Sequence, residues 1–445
     1  MHRRGETHDE RSQGLRIKLR FSDGCCGLGC RKTGHGAVGA YQSISKRFKW
    51  LGWLGIAAAA LIFSFYSALG GYCLRYVVVN FGNLIGAEFG TNGVGGADVF
   101  QGLLSQPDVS IAFALAFMFI TMLVVMSGVG GGIERVCSVG MPALFFILII
   151  CIIRSCTLPG AADGLKYMFV PGWAVANGII DEAPGFWRVL TAAGGQMFFS
   201  LSLGAGVMIT YGSYLDKKQD LGKSTMIIVG MDTVVALMAG LCVIPGRFAL
   251  DPNGALGGPE LLFITMQNVF DKMGPAGPVF GILFYLLVFF AAISSSISML
   301  EVIVAHFCDK AREKGKGDRR KLYSAIVVVI CAALCALVCA DGMGSNHISP
   351  AELLGLAGAK LPGWSTSWLG LFDSVAEGLL MPLGALLMCL MISWELKPDV
   401  LRQEILLNGE NRPWVYDFFR LCVKYITPLC MLMILYGQIS DFFIA

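Results

Sequence analysis

Charged residues are scarce in this sequence of 445 residues. Asp, Glu, Lys and Arg together make up 15% of the chain, whereas 55% is hydrophobic and the mean hydropathy is +0.66. Soluble domains carry about 25% charged residues. A soluble enzyme, a disulfide-stapled secreted module and a disordered chain are therefore excluded. The composition is typical of a polytopic protein in a lipid bilayer, and no nucleic-acid partner is expected.

Catalytic constellations are missing as well. The five histidines stand at no spacing typical of a metal site or a catalytic triad, and the apolar stretches hold no HExxH motif, serine–histidine dyad or paired aspartates. We therefore expect neither enzyme activity nor an organic cofactor. Most of the fifteen cysteines lie in apolar stretches, where they act as small apolar residues. The segment CCGLGC before residue 31 lacks the four ligands that structural zinc needs.

Nine apolar stretches are long enough, or nearly so, to cross a bilayer as helices of about 20 residues. They predict an all-α polytopic membrane protein, and their continuous apolar runs exclude the alternating pattern of a membrane β-barrel. The stretches are residues 51–81, 109–126, 133–153, 184–214, 224–244, 278–307, 322–339, 368–392 and 415–439.

Lysine and arginine are unevenly distributed between the loops. Counted from Lys46, one set of alternate loops carries 17 of them, including seven between Lys310 and Lys321, whereas the opposite set carries five, and its loop over residues 82–108 has none. Cytoplasmic loops are the ones enriched in these residues. We therefore expect a multi-pass protein of the cell inner membrane, with the segment before the first stretch in the cytoplasm and residues 441–445 outside.

The fourth stretch contains residues that oppose a continuous helix. Ser200, Ser202, Gly204 and Gly206 lie at the middle of GGQMFFSLSLGAGVMITYGSYL. Glycine is about 1 kcal/mol less favourable than alanine in a helix interior, and serine offers the backbone a competing hydrogen bond. The pattern predicts a broken helix at mid-membrane depth, which is tolerated only where protein or a water-filled cavity covers it. Close helix packing through small residues is the alternative.

The sixth stretch carries a stripe of small, mostly polar residues. Ala291, Ser294, Ser295 and Ser298 stand at positions i, i+3, i+4 and i+7, so they share one helix face. Their oxygens could form hydrogen bonds between helices or bind a hard alkali cation. The residues alone leave both interpretations open.

Four further residues have a functional and a structural interpretation. Asp232 lies within the fifth stretch, where an ionisable group is a functional hypothesis by default, although it could also reach water at the cytoplasmic end. Tyr66 lies in the middle of the first stretch, and its hydroxyl needs a partner when buried. Asp309 and Asp373 lie at the ends of stretches, where charges are often only interfacial.

Several long motifs, taken together, resemble the neurotransmitter:sodium symporter family on its bacterial amino-acid-transporter side. They are GIERVCSVGMPALF, PGAADGLKYMFVPGW, the fourth stretch quoted above, FFAAISSSISMLE and YITPLCMLMILYG, and the resemblance runs from about Gly34 to the C-terminus. It implies an inverted-repeat, leucine-transporter-like fold with a broken helix in each repeat. It also implies symport of an amino acid with sodium ions by alternating access.

The resemblance assigns roles to particular residues. The implied substrate-binding set is Tyr66, Phe199, Ser200, Ser202, Ala205, Ser295 and Met299. The implied sodium ligands are Ser200 and Asp232 at a first site, and Ala291, Ser294 and Ser295 at a second. The implied gates are Asp373 on the outer side, and Tyr214 and Asp309 on the inner side. Asp232 falls where the leucine-transporter type has an asparagine.

Two family helices are expected before a segment such as GHGAVGAY, but residues 1–32 hold no apolar run. The nine stretches therefore resemble family helices three to eleven. We expect a basic, non-family segment over 1–44, which a frameshift or a misplaced start would produce, and a transporter domain over 45–445. Transport would be impaired without the first helices. The alternative is a non-transporting remnant or a membrane binding partner built on the same helices.

Overall fold

The structure is a computed structural model that describes residues 36–91, 93–214, 221–255, 257–317, 319–355, 363–396, 402 and 413–440. Within these ranges the regular structure is helical. The first helices are α1 (Ala37–Ile44), α2 (Leu51–Ile85), α3 (Gly96–Leu104), α4 (Pro107–Met126), α5 (Glu134–Cys156), α6 (Ala161–Phe169), α7 (Phe186–Ser200) and α8 (Val207–Gly212).

The remaining helices follow the broken pair α7 and α8. They are α9 (Leu221–Leu250), α10 (Met266–Lys272), α11 (Gly277–Glu313), α12 (Arg320–Asp341), α13 (Trp368–Asp373), α14 (Met381–Trp394), α15 (Pro413–Leu421) and α16 (Thr427–Ile439). Single helical turns at Trp173–Ala176, Gly258–Glu260 and Pro350–Leu353 lie in the connections. A π-helical segment, Ser374–Leu380, joins α13 to α14.

The predicted membrane spans are confirmed. Eight helical segments of the described chain are long and apolar enough to cross a bilayer, and each contains or closely matches one of the predicted stretches. The exception is the fourth stretch, 184–214, which is divided between α7 and α8 and so falls short of a continuous span. The residues before 36 and the C-terminal residues 441–445 lie outside the described residues, as does most of the predicted segment 1–44.

The longest helices, α2 and α11, lie side by side at the centre of the molecule. Small residues let the neighbouring helices approach closely. A Cβ atom added at Gly71 of α2 would lie 2.5 Å from the backbone nitrogen of Ala114 on α4, so a larger residue there would force the two helices apart. Close approach through small residues is the usual basis of helix packing in membranes.

Burial differs sharply between the spans. In the most apolar window of the span that contains α2, 67% of the residues are buried, compared with 11% for the span that contains α5 and 6% for α9. The exposed side chains of α5 and α9 are large and apolar, such as Val139, Phe146 and Met226. Such surfaces suit contact with lipid tails or with other apolar helices, not with water.

Candidate substrate and ion site

The fourth stretch is broken where the sequence predicts it. Helix α7 ends at Ser200 and α8 begins at Val207, with non-helical backbone between them. Three residues of this segment have positive φ: Ser202 (50°), Gly204 (83°) and Gly206 (76°). Glycine adopts such angles without strain, whereas serine rarely does. The backbone groups between the two helices are thus free of the regular helical hydrogen-bond pattern.

A cavity of about 590 Å³ lies beside this break, and α5, α7, α8, α9 and α11 contribute to its walls. Seven of the residues with predicted site roles line it: Ser200, Ser202, Asp232, Ala291, Ser294, Ser295 and Met299. Among the described residues that line the cavity, Asp232 is the one carboxylate, and none is lysine, arginine or histidine. The cavity therefore combines an apolar wall with one negative charge and several hydroxyl groups.

The first predicted sodium site forms one side of the cavity. The Ser200 hydroxyl, at the end of α7, donates a hydrogen bond of 2.6 Å to Asp232 Oδ1 on α9. Two residues that are 32 positions apart in the sequence are thus brought into direct contact. Their oxygens could share a hard cation, because such ions prefer oxygen donors.

The serine stripe of α11 faces the same cavity. Ser294 donates to the Ala291 carbonyl oxygen at 2.8 Å, and Ser298 donates to the Ser294 carbonyl oxygen at 3.1 Å. These hydroxyls bond within their own helix, except that Ser298 also lies 2.9 Å from the Tyr211 hydroxyl of α8. The stripe therefore leaves its oxygens close to the cavity instead of using them all to join helices.

The neighbouring Ser296 does join helices. Its hydroxyl is buried and lies 2.8 Å from the Thr121 hydroxyl of α4. Ser296, which is not part of the stripe, thus links α11 to α4. Within the stripe, Ser298 bonds to α8, while Ser294 and Ser295 line the cavity.

Three residues of the predicted substrate set do not line this cavity. Tyr66, which is half-buried on α2, lies next to Ser295 of the stripe. Phe199 is half-buried at the end of α7. Ala205 is fully buried, and a Cβ atom added at Gly55 of α2 would lie 3.2 Å from its carbonyl carbon. The room beside Ala205 is therefore taken up by α2.

The predicted inner-gate residues lie outside the cavity and have partners that sequence reasoning missed. Asp309 Oδ2 accepts a 2.7 Å hydrogen bond from the Gly36 amide, next to the start of α1, and Asp309 Oδ1 lies 3.8 Å from Arg312. The Tyr214 hydroxyl donates to Glu301 Oε1 at 2.8 Å. Gly36 thus ties the loop helix α1 to α11.

Glu301 itself is the main residue that the sequence analysis overlooked. It lies within α11 and is fully buried. It forms an ion pair with Arg320 at the start of α12, with 2.5 Å between Arg320 Nη1 and Glu301 Oε2. The rule that singled out Asp232, that an ionisable group within a span is functional by default, applies equally to Glu301. Its position within an apolar stretch was therefore sufficient to identify Glu301 as a candidate functional residue.

The predicted outer-gate residue Asp373 also has an unexpected partner. Its carboxyl group lies close to that of Glu377, which follows in the π-helical segment. Glu377 lies near Tyr66 as well, so this acidic pair is close to the residues behind the serine stripe.

Comparison with known proteins gives consistent results. The family model for the sodium:neurotransmitter symporter family matches residues 98–443. An uncharacterised sodium-dependent transporter of Bacillus subtilis, YhdH, is 35% identical over 422 residues, which are 92% of this chain and 84% of that protein. An uncharacterised sodium-dependent transporter of Haemophilus influenzae is 29% identical over 88% of this chain and 79% of its own length.

A solved structure is also similar. The crystal structure of MhsT in complex with L-phenylalanine matches 96% of this chain and 88% of its own chain, with a TM-score of 0.76 and 31% sequence identity. The relatives named for an activity are transporters and not enzymes, and the helical fold of this chain matches that of MhsT. The chain belongs to the sodium:neurotransmitter symporter family.

Proposed function

We propose that this protein carries out sodium-coupled symport of an amino acid across the inner membrane by alternating access. The observation that carries the proposal is the convergence of Ser200, Asp232, Ser294 and Ser295 on one cavity beside a broken membrane helix. Sodium-dependent relatives and the phenylalanine-bound MhsT structure support it. Sodium is here a transported ion, and the energy for uptake comes from its gradient.

The first sodium site consists of the Ser200 hydroxyl and the Asp232 carboxylate, which are in contact at 2.6 Å. Backbone carbonyl groups of the break add oxygen donors, as they do in broken transporter helices. The negative charge of Asp232 compensates the charge of the cation, which would otherwise be costly to bring into a cavity with apolar walls. Asp232 is therefore the residue that makes this site selective for cations.

The second sodium site consists of the Ala291 carbonyl and the hydroxyls of Ser294 and Ser295. The Ser294 hydroxyl already lies 2.8 Å from the Ala291 carbonyl oxygen, a separation at which both oxygens could contact one ion at the 2.3–2.6 Å distances typical of oxygen ligands of a larger hard cation. A rotation of the Ser294 side chain would turn its hydroxyl from donor to ligand.

The substrate lies between the break and the serine stripe in this proposal. Tyr66, next to Ser295, binds the substrate carboxylate, Phe199 covers the bound molecule, and Ser202 and Met299 surround its side chain. Ala205, which is buried against α2, lies outside the cavity. Asp373 closes the outer side, and Tyr214 with Asp309 closes the inner side. Most of the cavity wall is apolar, so we propose a large apolar or aromatic amino acid as the substrate.

The test is uptake of radiolabelled amino acid into proteoliposomes with and without an inward sodium gradient. It compares the protein with a Ser294→Ala/Ser295→Ala variant and a Ser296→Ala control. We expect sodium-driven uptake, and a large loss of sodium affinity in the double variant. Alanine is the best helix former, so α11 should persist.

The control variant separates ligands from packing residues. Ser296 is on α11 like the other two, but its hydroxyl bonds to Thr121. Ser296→Ala should therefore lower stability slightly and leave the sodium dependence unchanged. A double variant with normal sodium affinity, or uptake that ignores the sodium gradient in every preparation, would overturn the proposed function.

A further inference from the structure

Two cysteines on different spans lie close together. Cys151 of α5 and Cys242 of α9 line the same small cavity and belong to the same buried cluster. They are 6% and 3% exposed, and both are free cysteines. Helices α5 and α9 pack against each other, and each cysteine lies towards the C-terminal end of its helix. The two thiols are therefore neighbours on two long helices, near corresponding ends.

The space around the two thiols is not completely filled. They line a cavity of about 10 Å³ together with Ser155, whose hydroxyl is buried without a hydrogen-bond partner among the described residues. A cavity of this size is about that needed for one water molecule. A third thiol, Cys156, lies in the same region but interacts with the Leu241 carbonyl oxygen at 3.8 Å. The thiol pair thus has room to adjust its rotamers.

We propose that Cys151 and Cys242 are a site of oxidative modification at which a disulfide bond covalently joins α5 to α9. A diazene oxidant such as diamide balances the reaction. One thiolate adds to the N=N bond, the second displaces the nitrogen and forms the S–S bond, and two electrons and two protons pass to the diazene, which becomes a hydrazine. A disulfide needs Cα atoms about 4.4–6.8 Å apart, a range that two cysteines lining one small cavity on packed helices can reach.

The modification has a consequence for the candidate site. Residues from α5, such as Val136 and Leu144, and from α9, such as Ile228 and Asp232, line the large cavity. A covalent bond near the ends of these helices would fix the separation of the two walls. Any change in the width of the cavity would then require bending of α5 or α9.

Trypsin separates the relevant thiols onto different peptides. Cleavage after Arg135, Arg154, Lys223 and Arg247 gives peptide 136–154, with Cys137 and Cys151, and peptide 224–247, with Cys242. Cys156 falls on peptide 155–166. Protein in proteoliposomes is treated with diamide, the remaining thiols are blocked with N-ethylmaleimide in dodecyl sulfate, and the digest is analysed by mass spectrometry without and with reduction.

We expect peptides 136–154 and 224–247 to appear as one species, two hydrogen masses lighter than their sum, which dithiothreitol separates. Labelling of Cys242 by N-ethylmaleimide should be lost. Cys151→Ser should abolish the linked species, whereas Cys137→Ser should leave it intact and prove which thiol of peptide 136–154 reacts. Cys242→Ala provides a second variant if the serine variant fails to fold.

Three results would overturn the proposal: full N-ethylmaleimide labelling of Cys242 after oxidation, a link from Cys242 to peptide 155–166, or a linked species that persists in Cys151→Ser. The proposal does not depend on transport, because its readout is covalent. Inhibition of sodium-driven uptake by diamide, relieved in Cys151→Ser and by dithiothreitol, would extend it to the cavity. Uptake unchanged in fully cross-linked protein would refute the claim that the bond restrains the cavity walls.

Discussion

Replacing Arg320 by methionine should destabilise the protein by about 3–5 kcal/mol, because the Glu301 carboxylate would stay buried without its cation. Glu301 is fully buried, and the Arg320 side chain is 16% exposed. Two guanidinium nitrogens donate hydrogen bonds to the two carboxylate oxygens, at 2.5 Å and 2.8 Å. Arg320 Nη1 also lies 3.3 Å from the Val125 carbonyl oxygen. Methionine fills much of the same volume but can make none of these bonds.

The loss of stability on removing Arg320 can be compared with the loss on removing Tyr214, the other partner of Glu301. The Tyr214 hydroxyl donates to Glu301 Oε1 at 2.8 Å, and a hydrogen bond to a charged group contributes about 1.5–3 kcal/mol. Tyr214→Phe should therefore cost less than Arg320→Met. A Glu301→Gln/Arg320→Met variant removes both charges and keeps an acceptor for Tyr214. Since replacing a buried ion pair by neutral groups is often close to neutral, this double variant should be more stable than Arg320→Met alone.

Thermal unfolding in detergent, followed by the reactivity of buried cysteines, would give the order of stabilities. The expected order is the unmodified protein and the double variant, then Tyr214→Phe, then Arg320→Met. A coupling energy from the complete mutant cycle would measure the ion pair directly. An Arg320→Met variant that melts with the unmodified protein, or a double variant no more stable than Arg320→Met, would refute the argument that an unpaired buried charge dominates.

Three further predictions concern the broken helix and the cavity. Gly204→Ala should destabilise the protein by about 1 kcal/mol or more, because Gly204 has φ 83° and an added Cβ would collide with the Met381 carbonyl oxygen. Thermal unfolding measures this loss of stability, and an unchanged melting temperature would contradict the prediction. Tryptophan or leucine should compete for uptake better than glycine, since Met299 can adapt to varied shapes, and the reverse order would exclude a large substrate. Uptake should persist when gluconate replaces chloride, because the Asp232 carboxylate already supplies negative charge, and loss of uptake would contradict that role.

Local sequence patterns predicted the spans and the break. Each span is a run of apolar residues whose length alone decides whether it crosses a bilayer, so the structure changes mainly the boundaries. The break depends on residues that are close together in the chain: Ser202, Gly204 and Gly206 all have positive φ. Both features follow from properties that neighbouring residues possess before any tertiary contact forms.

Partners across the fold could not be predicted in the same way. Asp309 was expected as a gate residue, but the group that meets it is the amide of Gly36, 273 positions away. Glu301 is recognisable as an intramembrane acid, yet nothing local indicates that Arg320, beyond the end of α11, turns back to pair with it. Such pairs depend on how the helices pack, and a loop of few residues permits many directions.

In the serine stripe of α11, helical periodicity predicts which residues share a face, and tertiary packing decides what each face contacts. Successive helical residues point about 100° apart, so periodicity alone separates Ser296 from the face shared by Ser294 and Ser298. Periodicity does not say which face meets a neighbouring helix. The structure places Thr121 of α4 against Ser296 and leaves Ser294 beside the cavity. Hydroxyls of the same type, two residues apart, therefore have different surroundings, and the position of α4 makes Ser296 a packing contact while Ser294 stays a candidate ligand.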